Sequence, residues 1–160
     1  NEREYSYKLT TPSKVLGGLA VKIGNLGMIS ADYERINYSK AKLEAKRGNP
    51  PLDYSNDSIS QTLAAANNLR LGGEVKLNQY YARFGYAVYQ SPYKNEYIDY
   101  QSNRQVFSGG IGLRENSFFI DATFLTSSYS KEQYLFTTIP NVSEIDFTNN
   151  RFILSIGFRF

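Results

Sequence analysis

Charged side chains fall on positions of one parity in three stretches of this chain: Asp32 and Glu34, then Arg70, Glu74 and Lys76, then Arg83, with Arg104 further on. In an extended strand that spacing puts them all on one face. Opposite charges on neighbouring strands can then pair, and a guanidinium left over can hold a carboxylate through two parallel hydrogen bonds. The chain has no His and no Cys. It therefore lacks the commonest general base, the thiolate nucleophile and the usual zinc ligands, and is read as a non-enzyme that needs no cofactor and holds no metal. Two uses remain for the charged series Asp32, Glu34, Arg70, Glu74, Lys76 and Arg83. It forms a network that keeps a barrel in shape or receives a plug, or some of Arg70, Arg83 and Arg104 steer a carboxylate ligand.

The elements that would carry these residues are strands. Fourteen Tyr and ten Phe stand against no Trp and one Met, a composition that suits pleated surfaces better than helices. Seven runs alternate with period two. The first, "KVLGGLAVKIG", aligns Val15, Leu19, Val21 and Ile23, and the second, "MISADYERINYSK", sets Ile29, Ala31 and Tyr33 against Ser30, Asp32 and Glu34. "NLRLGGEVKLN" and "YYARFGYAVYQ" follow, then "RQVFSGGIGLR" and "FFIDATFLTSSY", and "RFILSIGFRF" closes the chain. In that last run Phe152, Leu154, Ile156, Phe158 and Phe160 share a face opposite Ser155, Gly157 and Arg159. The glycines at 109, 110 and 112 lie inside a run without the Lys-Ser/Thr ending of a phosphate loop, so they are strand glycines.

The connections alternate between short and long. "GNLG", "LNQY" and "ENS" are short, whereas "GNPPLDYSND" lies in a long one that Gly48, Pro50 and Pro51 keep from being strand. "DSISQTLAAANN" in that connection predicts a short helix capped by Asp57 or Ser58 and ending near Asn67. Its Ile59, Leu63 and Ala66 form an apolar stripe that either packs the loop on a rim or guides a greasy ligand inward, and Tyr93, Tyr97, Ile98 and Tyr100 in the next loop pose the same choice. "SKEQYLFTTIPNVSEIDFTNN" is read as a third long loop. Its Glu144 and Asp146, like Asp53 and Asp57, fit no calcium-loop spacing.

A soluble sheet and a membrane barrel share this alternation, so other features must separate them. The polar face is rich in Gly, Ala and Ser rather than Lys and Glu. Tyr and Phe gather near strand ends, at Tyr33, Tyr38, Tyr80, Tyr81, Tyr89, Phe118, Tyr129 and Phe160, as interfacial girdles do. A strand ending in five alternating large apolar residues would invite edge aggregation in water. These features predict an all-β fold, an antiparallel transmembrane β-barrel of the bacterial outer membrane with a short helix in one external loop. Short turns belong on the periplasmic side, which puts Phe160 at the periplasmic rim. The formal charge of +3 comes from scattered Lys and Arg, with no stripe for nucleic acid.

The series Arg70, Gly72, Glu74, Arg83, Gly85, Tyr86, Ala87, then Gln90, Ser91, Pro92 and Arg104, together with "TTPSKVLGGLAVKI" and the aromatic ending, resembles the C-terminal half of the FadL-type long-chain fatty-acid transporters. The wider family of outer-membrane transporters for hydrophobic compounds, in its Bacteroidetes branch, is the one meant. The resemblance runs from Thr11 onward. It implies a fourteen-stranded barrel plugged by an N-terminal segment and passive uptake of fatty acids or other hydrophobic small molecules. For such a channel the charged faces and the apolar loop stripe offer Ile59, Leu63, Arg70, Arg83 and Arg104 as candidate ligand contacts. The terminal series Phe152, Leu154, Ile156, Phe158 and Phe160 also resembles the signal read by the machinery that inserts outer-membrane barrels.

Expected partners are membrane lipid, a hydrophobic ligand, that machinery, and other outer-membrane proteins or the N-terminal half. The rival reading is a non-transporting barrel that serves as a structural or interaction component. If "EYSYKLTT" adds an eighth strand, that barrel is a small one. A barrel hydrolase is the remotest reading, since the barrel lipases and proteases depend on His. Seven further strands and a plug upstream of Asn1 fit the transporter; a signal peptide ending there fits the small barrel.

Overall fold

A computed structural model describes residues 6–46, 49–94, 101–134 and 142–158. Tyr97, Ile98, Tyr100, Arg159, Phe160 and the start of the "EYSYKLTT" run lie outside these residues. Seven strands form one sheet in which every neighbouring pair is antiparallel. They are β2 (Lys14–Ile23), β3 (Gly27–Asn37), β5 (Ala65–Leu77), β6 (Tyr80–Tyr89), β7 (Arg104–Arg114), β8 (Phe118–Tyr134) and β9 (Val142–Phe158), adjacent in that order. These are the seven runs read from the sequence.

The turns at one end are tight, and two of them need left-handed backbone. Gly24 has φ 52°, and Asn78, at φ 57°, is the only described non-glycine residue with positive φ, a conformation that Asn tolerates better than most side chains. Asn78 and Gln79 join β5 to β6 directly, with Leu77 paired to Tyr80. All long connections lie at the other end.

There the structure departs from the sequence reading in three ways. First, Tyr7–Thr10 is a strand (β1), but it does not join the large sheet as an eighth member. It pairs with β4 (Lys42–Ala45), inside the long connection after β3. Lys8 Nζ donates to Glu44 Oε2 at 3.3 Å, and this bond, with the charges of Lys8 and Lys42, holds the Glu44 carboxyl below the usual carboxylate range. Second, the helix (α1) spans Asp53–Thr62, five residues earlier than a cap at Asp57 would start it. No side chain caps it; the Asn56 side chain instead clasps β4, accepting from Leu43 N at 2.8 Å and donating to Leu43 O at 2.9 Å. It stops at Thr62 because the backbone beyond it is taken by sheet bonds, Ala64 O accepting from Tyr38 N and Ala65 pairing with Asn37. Third, β8 runs on to Tyr134 and β9 begins at Val142, so most of the expected third loop is a hairpin. Tyr129 stacks on Phe147 with centroids 4.9 Å apart, and Ser130 Oγ donates to Asp146 at 2.7 Å.

Register sorts the side chains into two faces. Opposed pairs such as Leu19–Ala31, Ala31–Leu71, Leu71–Tyr86, Tyr86–Phe107, Ala82–Ile111, Ile111–Ala122 and Ala122–Leu154 make one continuous apolar face. Nothing in the described chain covers it: Ile111 is 70% exposed and Phe152 72%. Among the described residues the buried apolar ones are small, Ala66 and Ala87, so the described sheet has no core of its own. The accessible surface of 12134 Å² compares with about 8,100 Å² for a compact monomer of this mass. Among the described residues β2 and β9 each have one paired neighbour, leaving two open ladders. The isolated 160-residue chain is expected to aggregate in detergent-free buffer and to melt without cooperativity. A monodisperse sample with a sharp thermal transition would contradict this.

Candidate functional site

The face opposite the apolar one carries the charges, in three separate places. Near the long-connection end Glu34 is almost fully buried; it accepts from Asn68 Nδ2 at 2.8 Å and pairs with Lys14 Nζ at 3.2 Å. Arg70 lies between this carboxylate and Asp32 at 3.9 Å from each, a looser contact. Lys14 is the member of this group that the alternation of charges did not single out.

Nearer the short turns Arg83 binds two carboxylates, Glu74 Oε2 through Nε at 2.7 Å and Asp121 Oδ1 through Nη1 at 2.6 Å. These lengths are those of strong charge-assisted hydrogen bonds. The second bond spans from β6 over β7 to β8, and Gly112 of β7 leaves room for it. A Cβ there would run into the Asp121 carboxylate and stand 3.5 Å from Arg83 Nη1. Arg83, Lys76 and Arg114 all approach the Tyr81 ring, at 5.6, 5.6 and 4.8 Å from its centroid. Asp121, Tyr81 and Arg114 were not in the expected network, although the short turns fix their parity and so their face.

Arg104 stands apart from both groups, 4.5 Å over the Tyr89 ring, with no carboxylate partner among the described residues. It lines a cavity of about 450 Å³ with Tyr89, Val106, Leu125, Tyr129, Phe147 and Arg151. Phe147 reaches it because β9 begins at Val142 and so pairs Phe147 with Tyr129.

Ile59 and Leu63 belong to the loop layer and are half-buried. Leu63 bridges to Tyr93, and Ala64 N donates to Pro92 O at 2.8 Å, so this connection is tied to the next one. Phe152, Leu154, Ile156 and Phe158 are exposed on the apolar face of the edge strand β9. The five expected ligand contacts are thus not one site: Arg70 and Arg83 are engaged by carboxylates, Ile59 and Leu63 lie in the loops, and Arg104 faces a cavity. No family model, curated protein or solved structure matches the chain.

Because Arg83 ties three strands together, Arg83→Met is expected to lower stability by about 1–3 kcal/mol, leaving Glu74 and Asp121 without their cation. Gly112→Val should cost a similar amount, and the double variant less than the sum of the two. Urea unfolding of the full-length protein in detergent measures all three, and strictly additive losses would contradict a shared bridge.

Proposed function

We propose that the seven strands form part of a closed outer-membrane β-barrel that takes up long-chain fatty acids or other hydrophobic small molecules by passive passage along its charged inner face. The observation that carries this reading is the uncovered apolar face. From Leu69 to Leu77 the apolar positions of β5 run about 27 Å along the strand, or about 20 Å in height at a barrel-like tilt. That height suits the hydrocarbon layer, where a sheet must pair every backbone group and so must close. Above the belt the same face turns polar, with Arg35, Asn67 and Gln90 linked by hydrogen bonds of 2.8–3.1 Å. Short turns at one end and long connections at the other match the periplasmic and external ends of such barrels.

β2 and β9 run in the same direction, since six antiparallel steps separate them. Closure by antiparallel pairs alone then takes an odd number of further strands. Seven would complete the fourteen of the FadL-type barrels that the sequence resembles, and one would complete eight. Arg83, held by two carboxylates through Nε and Nη1, favours a second reading for its own cluster, a shape-holding network rather than a ligand site. That is what a non-transporting barrel would need too, so the uptake reading draws on Arg104 and its cavity instead.

Two measurements test this. Ile111→Arg, in the belt, is expected to destabilise the lipid-folded protein by about 2–4 kcal/mol, whereas Ser108→Arg on the inner face is expected to change little. A soluble protein would be made more soluble by Ile111→Arg, and that result would sink the membrane reading. Full-length protein in liposomes is expected to pass fatty acid, with Ile59→Asn and Leu63→Asn slowing entry. Failure to bind or pass any fatty acid or hydrophobic dye would remove the transport reading.

A further inference from the structure

We infer that the cavity beside Arg104 is a binding site for aromatic organic anions, selecting a planar ring that bears a carboxylate over a straight-chain acid. The inference deepens the uptake reading and rests on it for the cavity's position in a water-filled lumen.

Three observations support it. The first is charge: among the described residues the cavity is lined by two guanidiniums, Arg104 and Arg151, and by no carboxylate. Arg151 Nε donates to Asn149 Oδ1 at 3.0 Å, a neutral partner, and Arg104 rests on Tyr89. Elsewhere on this face Arg70 and Arg83 stand beside Asp or Glu. An anion entering here meets two cations whose charge no described acidic side chain of the cavity offsets.

The second is the wall. Tyr129 and Phe147 lie nearly parallel, 12° between ring planes, and Tyr89 stands on the far side of Arg104 from them. Register explains the order: Tyr89 pairs with Arg104, and Arg104 is one step beyond the Gln105–Ser128 pair, level with Tyr129, which in turn pairs with Phe147. One rung across four strands therefore reads aromatic, cation, aromatic, aromatic. A flat ring can stack in that row while its carboxylate meets the guanidinium, and offset or edge-on aromatic contacts add to simple burial.

The third is shape. A volume of about 450 Å³ accommodates a two-ring molecule. Arg151 sits two strands and four residues from Arg104, about 17 Å away between Cα atoms by strand geometry. The two cations thus mark opposite corners of the cavity, with Val106 and Leu125 between them. A long flexible acid would lose more conformational freedom than a rigid ring on entering such a space.

The test uses full-length protein in detergent micelles, titrated calorimetrically with 2-naphthoate, neutral naphthalene and decanoate against micelle blanks. Naphthoate is expected to bind at least tenfold more tightly than decanoate. Arg104→Gln should weaken naphthoate at least tenfold and leave naphthalene unchanged; Arg104→Lys should restore part of the loss, and Phe147→Leu should erode the preference for the ring. Unchanged far-ultraviolet circular dichroism keeps the comparison to folded protein. Equal affinity for decanoate and naphthoate, or unaltered naphthoate binding in the Arg104→Gln, Arg151→Gln double variant, would overturn the inference. Fatty-acid passage in liposomes separates the two claims. Passage without selective naphthoate binding refutes the cavity's role and spares the uptake reading, whereas selective binding without any passage does the reverse.

Discussion

An antiparallel ladder repeats every two residues, and that period governs everything else in this molecule. Once Leu77 is held opposite Tyr80 by a two-residue turn, each side chain of β5 and β6 is assigned to a face. The same holds at the other tight turns, and a slip of one residue would exchange the faces entirely. The sheet from Lys14 to Phe158 keeps this register across seven strands. The result is a wide apolar surface on one side, with Ile111 and Phe152 mostly exposed, and a charged surface on the other.

The two surfaces solve different problems. On the apolar side the large residues need no partner within the chain if hydrocarbon surrounds them, and its upper limit is marked by the polar group Arg35, Asn67 and Gln90. On the charged side, small residues make space for long ones. Gly112 leaves room for Arg83 to reach Asp121, and Gly72 is approached closely by the Ser30 hydroxyl. Pairing offsets the cost of crowding these ions together, so the Arg83 cluster acts as a strut between β5, β6 and β8. Arg104 differs because its neighbours are aromatic rather than acidic.

Most of the sheet was legible in the sequence because each strand declares its own period. Val15 to Ile23, Leu69 to Leu77 and Phe152 to Phe158 alternate without help from distant residues, and the charged parity of Asp32, Glu34, Arg70 and Arg83 follows from it. What escaped was set by long-range contact. The helix begins at Asp53 where Asn56 can clasp Leu43, a bond no local cap signal announces. The run at Tyr7–Thr10 is extended as expected, yet its partner is β4, thirty-odd residues on in the chain. Beyond Tyr129 the hairpin carries only a short alternation, Ile145 and Phe147 against Glu144 and Asp146, on a face opposite to the one the apolar belt uses, so it did not read as a continuation of the strands. Its pairing of Tyr129 with Phe147 is what builds the Arg104 cavity. Asp121 was visible on the right face but only the fold shows Arg83 reaching it over an intervening strand.

The claim on which the rest depends is that the two faces of one sheet see different surroundings, lipid on one side and an aqueous lumen on the other. The chain has no native Cys, so single cysteines can be placed at successive positions of β7, from Val106 to Leu113, and spin-labelled in the full-length protein in lipid vesicles. Collisions with oxygen, which concentrates in hydrocarbon, should peak at Phe107, Gly109, Ile111 and Leu113. Collisions with a water-soluble nickel chelate should peak at Val106, Ser108, Gly110 and Gly112. Oxygen and nickel accessibilities that rise and fall together, or an oxygen profile with no period of two, would contradict a membrane-facing apolar surface.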